Sequence, residues 1–82
     1  MIKQVDKMPQ AGQFVIVYVF GGQIWSVTYE IRKTTTPGGD IKRTLYHLED
    51  DEWVWTFGTT TSEDIPVPHP AVTSEHRIFI LS

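Results

Sequence analysis

Apolar runs with the period of a strand alternate along this chain with short clusters of glycine, proline and acidic residues. The clearest run is Phe14-Val15-Ile16-Val17-Tyr18-Val19-Phe20, in which every side chain is β-branched or aromatic. Such a run reads as a strand covered on both faces. Gly21-Gly22 follows, then a second strand-like run from Gln23 to Arg32. Two glycines predict a two-residue hairpin, because a type I′ turn needs positive φ at both central positions. The turn sets the register. Phe20 opposes Gln23, so Tyr18/Trp25, Ile16/Val27 and Phe14/Tyr29 share one side of the ribbon. Val19/Ile24, Val17/Ser26 and Val15/Thr28 share the other side, which is thinner and half polar.

A second hairpin is expected from residues 41–48 and 53–57, joined by Glu49-Asp50-Asp51-Glu52. Its pairs would be Leu48/Trp53, Tyr46/Trp55 and Thr44/Phe57. Between the hairpins, residues 33–40 hold Pro37, Gly38 and Gly39 and read as a long turn. If Val27 meets Tyr46 across that turn, Trp25 meets Leu48 and Tyr29 meets Thr44. The aromatic faces of both hairpins then coincide. This predicts an antiparallel meander with Phe14, Ile16, Tyr18, Trp25, Val27, Tyr29, Tyr46 and Trp55 in one core.

The remainder is shorter on pattern. Residues 59–70 are polar and then proline-spaced, with Pro66, Pro68 and Pro70. Proline donates no ladder bond, so residues 59–72 are expected as an extended, polyproline-like strap. Arg77-Ile78-Phe79-Ile80-Leu81 reads as a fifth strand and a natural neighbour of the first. That pairing would curl an all-β, five-stranded meander into a small SH3-like or OB-like barrel; an open curled sheet is the alternative. No segment carries a helical period. Val15, Val17, Val19 and Ile24 point away from the expected core and need a cover. The strap, through Ile65, Val67 and Val72, is the preferred one; a second copy or a partner is the other.

At 82 residues the chain is read as one domain, near the lower limit for a core without staples. It has no cysteine, which removes disulfides and thiolate metal sites. No apolar run approaches a membrane span, and Met1 to Lys7 lack the apolar stretch of a signal peptide, so a cytoplasmic setting is expected. The net charge of −3 argues against a dedicated nucleic-acid binder. Acidic residues gather at Glu49 to Glu52 and again at Glu63-Asp64, whereas Arg32, Lys33, Lys42 and Arg43 are the main basic residues.

Chemistry is sparse. His47, His69 and His76 lack the spacing of a zinc motif, and Glu49 to Glu52 are consecutive rather than spaced like a calcium loop. His47 is expected on the strand face opposite Tyr46. Neither Ser26, Ser62, Ser74 nor Ser82 sits in a Gly-x-Ser-x-Gly elbow. Both glycine pairs are hairpin turns rather than phosphate loops. No catalytic residue, metal ligand or cofactor is assigned. Trp53, beside the acidic turn, is the aromatic expected to stay partly exposed.

The run Val5 to Tyr18 holds Asp6, Met8-Pro9, Gly12 and Val15-Ile16-Val17-Tyr18, followed by a glycine turn and a strand ending at Tyr29. This opening resembles that of small uncharacterised proteins common in phages and prophages, with Met8 where they carry leucine. That family lends no activity; the resemblance implies a phage accessory context. The leading expectation is a non-enzymatic protein-binding module that occludes a surface of host nucleic-acid or defence machinery. Glu49, Asp50, Asp51, Glu52 and Trp53 would meet a larger, basic partner, since fixed carboxylates imitate phosphate charge. The alternatives are a single-stranded oligonucleotide-binding barrel using Arg32, Lys33, Lys42 and Arg43, or a structural virion component that forms a homodimer or larger oligomer.

Overall fold

A computed structural model describes residues 2–59 and 65–81. Its strands are β1 (Ile2–Val5), β2 (Gly12–Phe20), β3 (Gln23–Thr35), β4 (Ile41–His47), β5 (Glu52–Thr59) and β6 (His76–Leu81). Among the described residues one 3-10 turn, Ala71–Thr73, precedes β6. All pairings are antiparallel, in one sheet of order β1-β6-β2-β3-β4-β5. The all-β class and the antiparallel meander hold. The sheet has six strands rather than five, because Ile2–Val5 adds an edge strand beside β6. The expected pairing of the Phe14 strand with the last strand is present, Ile16 opposite Ile78. Among the described residues it does not close a barrel: β1 and β5 stand as the two edges.

The β2–β3 hairpin has the register its turn dictates. Gly21 and Gly22 take φ of +61° and +76°, and Phe20 pairs with Gln23, Tyr18 with Trp25, Ile16 with Val27 and Phe14 with Tyr29. Beyond it the expectation needs correction. β3 and β4 pair Tyr29 with His47 and Ile31 with Leu45, not Tyr29 with Thr44 or Val27 with Tyr46. The cause is the connecting turn. Thr36 N–H donates to the Asp40 carbonyl at 2.7 Å, Gly39 N–H to Thr36 O at 2.9 Å and Asp40 N–H to Thr36 Oγ1 at 3.1 Å. Closure at Thr36–Asp40 slides β4 by an odd number of residues, which turns every side chain of β4 over.

Leu45 therefore lies in the core, and Tyr46 faces the other way. A bulge opposite Leu45/Tyr46 then pairs Leu45 with Trp55 and Arg43 with Phe57, but Tyr46 with Trp53. The bulge adds one residue on β5 and lets Trp55 face the core while Trp53 faces away.

One face of the sheet carries the core. Phe14, Ile16, Ile31, Leu45 and Ile78 are fully buried, with Tyr18 and Tyr29 beside them. Each such side chain contributes about 1.5–3 kcal/mol of burial. Phe14 stacks on Tyr29 with centroids 5.6 Å apart, and Tyr29 lies 5.1 Å from the His47 ring. Of the predicted core, Val27 and Trp55 are partly buried, whereas Trp25 is 46% exposed. Trp25 lies near the hairpin tip and turns back along it, its Nε1 donating to the Phe20 carbonyl at 3.0 Å.

The lid of the core is Met8, Ile65 and Ala71, with Val67 packed against it. The strap thus crosses the aromatic face. Its described residues do not cover the valines, contrary to expectation: Ile65, Pro68 and Ala71 are buried while Val72 is 50% exposed. Residues 65–68 belong to no helix or strand, and the His69–Pro70 peptide is cis. Ser62, Glu63, Asp64 and Ser82 lie outside the described residues.

Candidate functional site

The register places the face opposite the core residue by residue. Ile2 and Gln4 come from β1, Phe79 and Leu81 from β6, and Val15, Val17 and Val19 from β2. Ile24, Ser26, Thr28, Glu30 and Arg32 follow from β3, Thr44 and Tyr46 from β4, and Trp53 and Thr56 from β5. An apolar band, Phe79, Val15, Val17, Val19 and Ile24, runs across β6, β2 and the start of β3 on this face. Ile24 is 76% exposed. A shallow depression of about 250 Å³ is lined there by Val17, Val19, Ile24, Arg77 and Phe79. Beside it, towards β4 and β5, the face becomes polar and aromatic.

At that polar end the candidate residues meet. Residues 48–51 form the turn between β4 and β5, and Asp51 takes a left-handed φ of +57°. Asp50 Oδ1 accepts the Glu52 N–H at 3.0 Å, a side-chain closure typical of aspartate in turns. Asp51 pairs with Arg32, which also donates from Nε to Glu30 at 2.8 Å. These bonds, the one to Asp51 foremost, raise the already high pKa of Arg32. The guanidinium lies 4.0 Å from the centroid of the Tyr46 ring, in cation–π geometry. Trp53 is 58% exposed, as expected from its place beside the turn, and its Nε1 donates to Thr56 Oγ1 at 2.9 Å.

Two sets of residues that the sequence separates are thus joined. Arg32 of the basic group neutralises Asp51 of the acidic group. Glu49, Asp50 and Glu52 remain, and they line a depression of about 260 Å³ with Ser26, Val27, Thr28 and His47. The four basic residues do not share a surface. Strand alternation puts Arg32 and Lys42 on the open face, and Lys33 and Arg43 on the core face. Arg43 is buried at 6% exposure; its Nε donates to the Gln10 carbonyl at 3.1 Å, and its Nη1 has no partner among the described residues.

Among the described residues no three histidine or carboxylate side chains converge as metal ligands, and no helix is long and apolar enough to cross a membrane. Sequence reasoning found the valines and Trp53 but missed Phe79 and Ile2 as parts of the open face. Their signal was the pairing of the two end strands. No family model, curated protein or solved structure matches the chain.

Proposed function

We propose that this protein is a non-enzymatic protein-binding module of phage accessory type, which acts by occluding a surface of a larger assembly. The observation that carries the reading is the apolar band of Val15, Val17, Val19, Ile24 and Phe79 on one face of a sheet whose other face already holds the core. Exposed apolar stripes bordered by charged residues are the usual form of protein-interaction surfaces. Glu49, Asp50 and Glu52 at the border favour a partner with basic groups, and exposed Trp53 supplies a large aromatic contact. Host nucleic-acid or defence machinery, whose working surfaces are basic, is the target class.

The test is affinity capture from a bacterial host lysate with the wild-type protein and with Val17→Lys, followed by mass spectrometry and reconstitution of the recovered protein. A stoichiometric partner with a basic surface, lost with Val17→Lys while the fold is kept, is the expected result. Recovery of no specific protein, or equal recovery by both forms, overturns the reading. Light scattering that gives a dimer dispersed by Val17→Lys assigns the face to self-association instead. Tryptophan quenching by single-stranded oligonucleotides at low salt, weakening steeply with added salt, would move the assignment to nucleic acid.

A further inference from the structure

β3 is the longest of the described strands, and part of one of its edges has no neighbour among the described residues. It pairs with β2 along residues 23–31 but with β4 only from Tyr29 to Thr35. Among the described residues, 23–27 therefore stand with one side open, for about 17 Å at strand spacing. Which backbone groups face outward follows from the hairpin. In a two-residue turn the closing pair, Phe20 and Gln23, exchanges both hydrogen bonds, and bonded and unbonded pairs then alternate. Trp25 and Val27 turn their N–H and C=O inward to β2. Ile24, Ser26 and Thr28 turn theirs outward. The Leu48 N–H donates to the Thr28 carbonyl at 3.0 Å, which fixes this phase independently. Beyond Leu48 the chain leaves the edge as the acidic turn. The outward N–H and C=O of Ile24 and Ser26 have no partner among the described residues.

The depression lined by Ser26, Val27, Thr28, His47, Glu49, Asp50 and Glu52 runs beside this edge. It is the step left where β4 stops. Trp25 lies back along the tip and leaves the step open. Unpaired strand edges are templates for strand addition.

We infer that residues 23–27 of β3 are a docking edge for an extended peptide segment with a cationic N-terminal end, bound antiparallel to β3 as a continuation of the line of β4. The direction comes from charge. An antiparallel occupant starts beside Thr28, placing its N-terminal residues against Glu49, Asp50 and Glu52. A parallel occupant would place its C-terminal end there. Backbone bonds to Ile24 and Ser26 hold such a segment whatever its side chains, and the acidic end selects its polarity. This rests on the protein-binding reading and names the chemistry of the partner.

The probe is a synthetic heptapeptide with two N-terminal lysines followed by alternating threonine and valine. Amide exchange of the purified protein is followed by NMR. With peptide bound, exchange at Ile24 and Ser26 should slow by about tenfold or more while Trp25 and Val27, already bonded to β2, change little. Ser26→Pro should weaken binding by roughly tenfold, since it removes an outward N–H that no internal bond uses. The triple change Glu49→Gln, Asp50→Asn and Glu52→Gln should do likewise without touching the edge, and it serves if Ser26→Pro perturbs the fold. No protection at millimolar peptide, or equal binding of a peptide led by two glutamates, overturns the inference. Concentration-dependent protection without peptide gives the edge to a second copy and also overturns it. If Ser26→Pro retains a captured host partner that Val17→Lys loses, the edge assignment fails and the binding-module reading stands.

Discussion

The two faces of the sheet are built from the same strands with similar numbers of branched apolar side chains, yet they end differently. On one, Phe14, Ile16, Ile31, Leu45 and Ile78 lie under Met8, Ile65 and Ala71. On the other, Val15, Val17 and Phe79 are half-buried and Val19 and Ile24 exposed. The segment after β1 and the strap before β6 both cross the same side, the first through Met8 and the Gln10 carbonyl that binds Arg43. In a protein with one sheet, the connections choose which face becomes interior. The strand's own composition only makes both candidates.

That difference is most directly broken by neighbouring substitutions in β2. Ile16→Ala should cost about 2–5 kcal/mol, while Val17→Ala, one residue along but on the open face, should cost less than about 1 kcal/mol. Urea unfolding monitored by tryptophan fluorescence reads both. Equal losses would mean that the open face is packed as well as the core.

A smaller effect comes from pH. Burial, with the neighbouring Tyr18 adding to it, pushes the Tyr29 hydroxyl up to about 12. An unfolded tyrosine ionises near pH 10, so between about pH 10 and 12 the unfolded chain has lost a proton that the native one keeps. Stability contributed by the neutral hydroxyl is complete below pH 10 and falls by about 2 kcal/mol as pH rises through that window. Tyr29→Phe should flatten this part of the profile in denaturant titrations. An unchanged slope would mean that the hydroxyl meets water in the native state.

The smallest effect sharpens the contrast at the open face's polar end. Asp51 has a left-handed φ and pairs with Arg32 only at the surface. Asp51→Gly relieves the backbone while losing that pair, so the thermal midpoint should barely move. Asp51→Val, which adds a β-branched side chain at positive φ, should destabilise by about 1 kcal/mol. If Asp51→Gly were as destabilising as Asp51→Val, loss of the Arg32 pair and not backbone strain at positive φ would account for the effect.

Legibility followed the length of the turns. Gly21-Gly22 admits one tight geometry, and every pair from Phe20/Gln23 to Phe14/Tyr29 could be read from it. The turn of Thr36 to Asp40 admits several closures. Matching aromatics selected Tyr46 for the core, whereas the bonds of Thr36 set Leu45 there. The β5 bulge was invisible, since Trp53-Val54-Trp55 reads equally well in plain alternation. β1 was missed because Ile2-Lys3-Gln4-Val5 is too short to show a period and gains its pairing only from β6. At the site, the acidic turn and Trp53 were legible from their sequence neighbourhood. The Arg32–Asp51 pair joins residues 19 positions apart and needed the true β3–β4 register.

The place of β6 in the sheet has a consequence for synthesis on the ribosome. β2 to β5 follow one another as a meander, so each strand emerges next to the one it pairs with. β6 follows the other five described strands in sequence and lies between β1 and β2. β1 emerges before the other five described strands and has no ladder to join until β6 arrives. During translation β2 therefore keeps a bare edge next to its valines, and the docking of β6 both caps that edge and recruits β1 in one closing step.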